Sequence, residues 1–159
     1  MKTEVLAIKV ALQILKPAAE VFEAIVNPSM MTNYFISESS GRMEQGKEVT
    51  WKFPEFDEKA PVQVVKVEQD RSVSFQWEVN GKQMLVEITL EAAADPNHSV
   101  VRISEKEMEN NEAGIAWLKG NTEGWANFLA CLKAYLEYGI NLRKGAFDFM
   151  MNNQSNTSI

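Results

Sequence analysis

The chain has 159 residues, of which 45% are hydrophobic and 24% are charged. This length suits one domain with a single substantial core, and no apolar run approaches the roughly 18 residues that a membrane span needs. The net charge of −6 comes from 22 acidic and 16 basic side chains, which would repel a phosphate backbone. We therefore expect one domain that neither crosses a bilayer nor binds nucleic acid.

The N-terminus and the cysteine content bear on location and on metal binding. Residues 1–4 lead directly into an alternating pattern and lack the uninterrupted apolar segment of a signal peptide, so we expect a cytoplasmic protein. Cys131 is the only cysteine, which leaves neither an internal disulfide nor a cysteine-cluster metal site. Its apolar surroundings favour a packed thiol, with a reactive thiol as the alternative. We expect no metal and no other cofactor.

The first third of the chain predicts a strand followed by two short helices. Residues 5–15 alternate between apolar and polar side chains, which is typical of a long strand. Pro17 suits a first helical turn, and the apolar residues within 21–26 form a short amphipathic face that ends before Pro28. A second helical piece is predicted over residues 29–35.

The middle of the chain predicts further strands that lie side by side. Asn80-Gly81 separates two alternating segments, and this pair is the strongest short hairpin signal because both central residues of a type I′ turn need positive φ. We therefore expect a meander of antiparallel strands with one apolar face and one solvated face. The predicted extended segments are residues 37–43, 47–53, 61–69, 71–80, 83–94 and 99–108.

The C-terminal part predicts one long helix, from Gly114 to Met151. Its apolar residues recur at steps of three, four or seven, which places them on one face of a helix. These residues are Leu118, Trp125, Leu129, Leu132, Leu136 and Ile140. Residues 152–159 form a polar tail with almost nothing to bury, and we expect it to be disordered. The predicted domain therefore comprises residues 1–151.

Several groups of residues carry a resemblance to a known family. They are Leu15-Lys16-Pro17-Ala18-Ala19-Glu20-Val21-Phe22-Glu23-Ala24-Ile25, Trp51 with Phe53, Gly124-Trp125, Leu132-Lys133 and Leu136-Glu137. On these residues and on the order of its elements, the chain resembles the START-like superfamily, also called SRPBCC or Bet v 1-like. Within it, the chain is similar to the domain found in the C-terminal part of the activator of heat shock protein 90 ATPase.

The resemblance implies both a fold and a class of function. The implied fold is the α+β helix-grip fold, in which a curved seven-stranded antiparallel sheet wraps around a long C-terminal helix, with two short helices after the first strand. Members of the superfamily typically hold lipid-like, polyketide-like or other apolar molecules between sheet and helix. A minority, such as the polyketide cyclases, are enzymes.

The inward-facing apolar residues predict the walls of such a site. Aromatic and methionine side chains are the usual lining of a small-molecule pocket, and the alternative is that they simply fill the core. The sheet contributes Trp51, Phe53, Phe75, Trp77, Met84 and Val86, and the helix contributes Trp125, Phe128, Leu129 and Leu132.

The same periodicity places a few polar residues on the inward faces of the strands and the helix. They are candidates for binding the polar end of a ligand. Asn121 lies one turn before Trp125, Tyr135 lies one turn after Cys131, and Glu105 has the parity of its apolar strand neighbours. The alternatives are that Glu105 lies beyond the cover of the helix and is solvated, and that Asn121 lies near a frayed helix start. Tyr34 and Met30 are expected at the pocket mouth, where they form a lid.

Motifs for catalysis are scarce. His98 is the only histidine, and its setting in Asp95-Pro96-Asn97-His98 is typical of a turn, so a general base in the pocket would be a carboxylate or a tyrosine. The sequence contains no cluster with metal-ligand spacing, no nucleophile elbow and no glycine-rich phosphate loop.

Three hypotheses for function follow from these observations. The favoured one is a binding protein for a small hydrophobic molecule, acting as a monomer or homodimer. The second is a cyclase-like or hydrolytic enzyme on the same scaffold, in which Glu105 and Tyr135 act on the ligand. The third is a stress-response domain that interacts with a chaperone ATPase.

Replacing Trp125 by Ala tests the predicted helix face. We expect a loss of roughly 3–5 kcal/mol in the free energy of unfolding, because the substitution removes a large buried ring and leaves a cavity. Urea denaturation followed by circular dichroism measures this loss. A loss below about 1 kcal/mol would place Trp125 on a solvent-exposed face instead.

Overall fold

The structure is a computed structural model and describes residues 4–151. The tail predicted at residues 152–159 lies outside the described residues. The elements are β1 (Val5–Ile14), α1 (Ala18–Val26), α2 (Pro28–Met31), β2 (Glu38–Ser39), β3 (Glu48–Lys52), β4 (Lys59–Glu68), β5 (Ser72–Val79), β6 (Lys82–Ala92), β7 (Ser99–Glu109) and α3 (Glu112–Tyr138).

The strands within the described residues form one antiparallel seven-stranded sheet, in the spatial order β1-β7-β6-β5-β4-β3-β2. Strands β2 to β7 follow each other as a meander, and β1 joins the far edge by pairing with β7. Asn80 and Gly81 both have positive φ, at 52° and 80°, so the predicted type I′ hairpin signal is confirmed. The helix-grip fold expected from the sequence is confirmed as well.

The sheet curves so that its inner face can enclose a helix. Register shifts interrupt β1 between Leu6 and Ala7, and β4 between Val64 and Lys66, and such bulges increase the local bend and twist of a strand. Alternation along β5 buries Phe75 and exposes Gln76. The core therefore lies on the concave face, between the sheet and the helices.

The two short helices close one end of this core. Helix α1 buries most of its apolar residues, including Phe22 and Ile25. Helix α2 is shorter than predicted, because it ends at Met31 and residues 32–35 continue as turns. These turns direct Tyr34 into the core, where its ring is fully buried.

Helix α3 begins against the end of β7 and is anchored there. The Asn111 side chain accepts a hydrogen bond from the Gly114 N–H, at 2.8 Å, and caps the helix. A Cβ atom at position 114 would overlap the carbonyl oxygen of Glu109. Glycine is therefore required where the helix crosses the strand end. Farther along, Lys133 and Glu137 bind the backbone of β1 and of Leu15.

The helix ends earlier than the sequence analysis predicted. Gly139 adopts a left-handed conformation, with φ of 67°, and its N–H and that of Ile140 bond back to the last turn. The prediction of a helix to Met151 was wrong for this reason, and Ile140 lies outside the helix and is 53% exposed. Residues 140–151, which we call the C-terminal segment, form turns over residues 142–147 and return to helical conformation only at residues 148–151.

Replacing either of two glycines in α3 and at its end by alanine should change the free energy of unfolding in opposite directions. Gly139→Ala should lower the free energy of unfolding by about 1 kcal/mol, because an L side chain is strained at positive φ. Gly120→Ala should raise it by roughly 0.5–1 kcal/mol, because Gly120 lies inside α3 with open space at its Cβ position. Chemical denaturation of both variants measures these changes. A Gly139→Ala variant as stable as the wild type would contradict the helix end at this residue.

Candidate functional site

A cavity of about 470 Å³ lies between α3, the inner face of the sheet and two irregular segments. Its volume falls in the range of ordinary small-molecule pockets. One irregular segment is the β3–β4 loop, residues 53–58, and the other is the C-terminal segment. The lining residues are Tyr34, Phe35, Phe53, Glu55, Phe56, Trp77, Gly120, Asn121, Glu123, Gly124, Trp125, Asn127, Phe128, Cys131, Arg143, Phe147 and Met150.

Helix α3 makes room for this cavity by lacking side chains at two positions. Gly120 and Gly124 lie one turn apart on the face that also carries Phe128. A Cβ atom at either glycine would meet no atom within 4 Å. Larger side chains on this face would fill the space, so the two glycines set the width of the cavity.

Aromatic rings in mutual contact form most of the wall. Trp77 of β5 and Trp125 of α3 lie with ring centroids 5.6 Å apart, and Phe35 packs edge-on against Phe53 at 5.3 Å and Phe128 at 4.7 Å. Edge-to-face pairs at these distances are favourable beyond the area that they bury. The wall is therefore a continuous aromatic surface that joins the sheet to the helix.

A buried carboxylate holds the two tryptophans of this wall. Glu105 of β7 has no exposed surface, and it accepts hydrogen bonds from the indole N–H of Trp77 at 2.9 Å and of Trp125 at 2.8 Å. The Asn121 amide donates to the same carboxylate at 3.2 Å. None of these donors, within the part of the chain that the structure describes, is a lysine or an arginine. The carboxylate therefore depends on neutral N–H groups for its solvation.

The position of Glu105 differs from the solvated alternative in the sequence analysis. Its neighbours across the ladder are Ile8 of β1 and Val86 of β6, so it lies on an interior strand of the sheet and under α3. Asn121 is in the third turn of α3 and not at a frayed start. Both alternatives were wrong, because α3 begins at Glu112 and covers this part of β7.

Tyr34 lines the cavity but is fixed in place. Its hydroxyl donates to the carbonyl oxygen of Ala24 at 2.7 Å. Burial, with smaller contributions from Tyr135 and Cys131, raises the pKa of Tyr34 well above its usual value. A protonated and anchored hydroxyl is unsuited to the predicted lid. Met30, the other residue expected there, is half-buried and does not line the cavity.

A charged pair lies at the irregular walls of the cavity. Arg143 of the C-terminal segment binds Glu55 of the β3–β4 loop through two parallel hydrogen bonds, of 3.0 Å and 2.6 Å. The two side chains are only 15% and 7% exposed. The guanidinium also lies 5.7 Å from the ring centroid of Phe53 and 4.8 Å from that of Phe147. This pair connects the two irregular walls of the cavity.

Cys131 lies in the same cavity with its thiol largely buried. Burial raises the pKa of the Cys131 thiol, and the positive charge of Arg143 offsets part of this rise. The thiol is therefore neutral near pH 7 and a weak nucleophile. This agrees with the packed thiol favoured by the sequence analysis.

Comparisons with known proteins identify the family. The family model described as Activator of Hsp90 ATPase homolog 1-like protein matches residues 16–137. The chain belongs to this family. Its fold and its structural relatives also place it in the START-like superfamily, in agreement with the resemblance noted in the sequence. No curated protein sequence gives a significant match.

Solved structures support the same assignment. The protein SSP2350 from Staphylococcus saprophyticus is 32% identical, with a TM-score of 0.76 over 87% of this chain and 96% of that one. DynU16, described as a putative protein in the dynemicin biosynthetic locus, is 23% identical, with a TM-score of 0.74 over 84% of this chain and 48% of that one. The Aha1 dimer from Colwellia psychrerythraea is 19% identical, with a TM-score of 0.72 over 84% and 98%. The last two share the fold alone.

Two classes of feature are absent from the part of this family member that the structure describes. Residues 4–151 contain no helix that is both long and apolar enough to cross a membrane. Within the same range, no group of His, Cys, Asp or Glu side chains is arranged to hold a metal ion.

The structure separates the sequence-predicted site residues of this family member into two sets. Those that line the cavity are Tyr34, Phe53, Trp77, Asn121, Trp125 and Phe128. The others lie behind the walls: Trp51, Phe75, Met84, Val86, Leu129 and Leu132 are buried in the core, and Glu105 supports the two tryptophans. The parity of a strand or helix gives the buried face, but it does not tell which buried side chains border a void.

The sequence analysis missed the residues of the irregular segments. It left residues 54–60 as a connection between two predicted strands and treated residues 139–151 as helix, so it considered neither Glu55 nor Arg143. One available signal was Gly139, since glycine just after an apolar periodic run is a common helix end. The pairing of Glu55 with Arg143 has no signal in one sequence, because it depends on how the chain returns after this end.

Removing the Glu105 carboxylate should destabilise this family member. Glu105→Ala leaves two indole N–H groups without acceptors, at roughly 1–3 kcal/mol for each group, so we expect a total loss of roughly 2–6 kcal/mol. Thermal and urea unfolding measure the loss. Glu78→Ala is the matched control, because Glu78 is an exposed carboxylate on β5 of the same sheet, and it should change stability by less than about 0.5 kcal/mol. Equal effects of the two substitutions would contradict the role of Glu105.

Proposed function

We propose that this protein binds a small, mainly apolar molecule in the cavity beneath α3. The observation that carries the proposal is the cavity itself, about 470 Å³ in volume, with walls made mostly of aromatic rings. Apolar surface without packing neighbours forgoes favourable contacts, and here two adjacent turns of α3 carry glycine where an ordinary side chain would fill the space. A helix face that leaves this space open is better suited to contact a ligand than to pack against the sheet.

The few polar groups at the cavity suit a ligand with one polar end. Asn127 and Glu123 of α3 and the Glu55–Arg143 pair border it. Small-molecule sites typically combine an apolar surface with a few such groups, which fix the orientation of the ligand. Because Glu55 and Arg143 neutralise each other, we propose that the ligand is uncharged over most of its surface.

Catalysis is the weaker hypothesis for this site. The carboxylate oxygens of Glu105 already accept N–H groups from Trp77, Trp125 and Asn121, so they are not free to take a proton from a ligand. Tyr135 does not border the cavity, and His98 lies in the turn before β7. These positions favour binding over a cyclase-like reaction.

Contact with a chaperone ATPase, which the family's description suggests, is also weaker. A domain that acts only through its outer surface has no use for an aromatic-lined cavity, and this protein has one. The fold likeness to DynU16, a putative protein of a biosynthetic locus, supports a role that involves a small organic molecule.

A substitution that fills the cavity tests the proposal without disturbing the fold. Gly124→Met places an unbranched side chain into open space, inside a helix that favours methionine over glycine. We expect the affinity for a neutral apolar dye, N-phenyl-1-naphthylamine, to fall by about tenfold or more, which corresponds to roughly 1.4 kcal/mol. Fluorescence titration measures the affinity, and native mass spectrometry shows whether a molecule accompanies the purified protein.

Ala126→Met is the matched control for this experiment. Ala126 is exposed on the same helix and does not border the cavity, so its substitution should leave dye binding unchanged. Equal affinities of the Gly124→Met variant and the wild type would contradict a ligand site in this cavity. The same conclusion would follow if the wild type bound no dye and carried no added mass.

A further inference from the structure

We propose that the Arg143–Glu55 ion pair is a latch that holds the two irregular walls of the cavity together, and that its opening widens the mouth through which the ligand enters and leaves. The inference rests on the proposed binding function of this cavity. The pair joins the C-terminal segment to the β3–β4 loop, and both segments contribute wall residues, including Phe53, Phe56 and Phe147. The two partners are therefore placed where a change in one contact alters access to the cavity.

The other walls are poorly suited to open. Trp77 and Trp125 are held by the buried carboxylate of Glu105, and Tyr34 is held by the Ala24 carbonyl. Opening between the sheet and α3 would expose these polar groups and would break the aromatic contacts between them. The irregular segments are therefore the walls of the cavity that can move most easily.

The C-terminal segment is attached in a way that permits movement. It follows Gly139, which ends α3 at positive φ, and contains a second glycine at positive φ, Gly145. The backbone hydrogen bonds of the segment are local, such as those of Ala146 to Arg143 and of Met150 to Phe147. Among the described residues, no backbone hydrogen bond joins the segment to the sheet or to the β3–β4 loop.

Apolar burial adds little to this attachment. Several apolar side chains of the segment point into solvent: Ile140 is 53% exposed, Leu142 51% and Phe149 60%. A region with few buried contacts and only local hydrogen bonds opens at a lower free energy than the rest of a fold. The ion pair is therefore the main polar contact that keeps this segment on the loop.

The burial of the pair makes its opening an all-or-none event. Arg143 and Glu55 are both largely shielded from water, and a buried charge without its partner is strongly unfavourable. Once the two separate, each must become hydrated, which requires the segment to move away from the loop. The paired arrangement and a wider one with hydrated charges are thus the two favourable arrangements.

Ligand exchange kinetics test the latch. Stopped-flow fluorescence with N-phenyl-1-naphthylamine gives association and dissociation rate constants, and this dye is neutral, so Arg143 does not attract it by charge. Arg143→Gln and Glu55→Gln should each raise both rate constants by about tenfold or more, with a smaller change in Kd. The double variant should exchange no faster than the faster single variant, because either substitution already opens the latch.

Neighbouring charges provide controls for the two substitutions. Lys144→Gln and Glu58→Gln remove exposed charges from the same two segments and should leave the rates unchanged. Arg143→Lys keeps the positive charge but cannot form the paired hydrogen bonds, and it should give intermediate rates. This variant also decides the question if Arg143→Gln does not fold.

Unchanged rates in Arg143→Gln, Glu55→Gln and Arg143→Lys would overturn the latch. An increase in the dissociation rate alone would also overturn it, because Arg143 would then contact the ligand and not control access. Failure of the wild type to bind the dye at all would instead contradict the proposed binding function. The two proposals can therefore fail separately.

Discussion

The buried carboxylate of Glu105 is the interaction on which the rest of the site depends. A charge without surface exposure must find polar partners, and this one finds them in Trp77 of the sheet and in Asn121 and Trp125 of α3. The requirement fixes the register of the helix on the sheet, because a shift of α3 by one residue would remove two of its donors. It also fixes the two indole rings that form the cavity wall.

This constraint explains how a cavity persists inside a well-packed domain. Collapse would require the aromatic rings to move into the open space, and the hydrogen bonds of Trp77 and Trp125 oppose such a movement. On the helix side, Gly120 and Gly124 offer no side chains to fill it. The cavity is thus maintained by the hydrogen bonds of Glu105, which lies behind the aromatic wall, and by the absence of side chains at Gly120 and Gly124.

Much of the fold could be predicted from the sequence, because the spacing of apolar residues indicates strands and helices. The meander, the turn at Asn80-Gly81 and the buried face of α3 all follow from patterns of two or of three and four residues. The site was less predictable. Parity placed Phe75 and Trp77 on the same face, yet only Trp77 borders the cavity. Whether a buried side chain meets a neighbour or a void depends on packing between distant elements, which one sequence does not encode locally.

The irregular segments were the hardest part of the site to predict. The sheet and α3 form the rigid half of the site, through contacts shared among several elements. The β3–β4 loop and the C-terminal segment form the other half, and their main connection is between Glu55 and Arg143. Loops on a rigid scaffold accept sequence changes at little cost to the fold. Changes in these two segments can therefore reshape one half of the site while the Glu105 network and the helix-grip architecture stay the same.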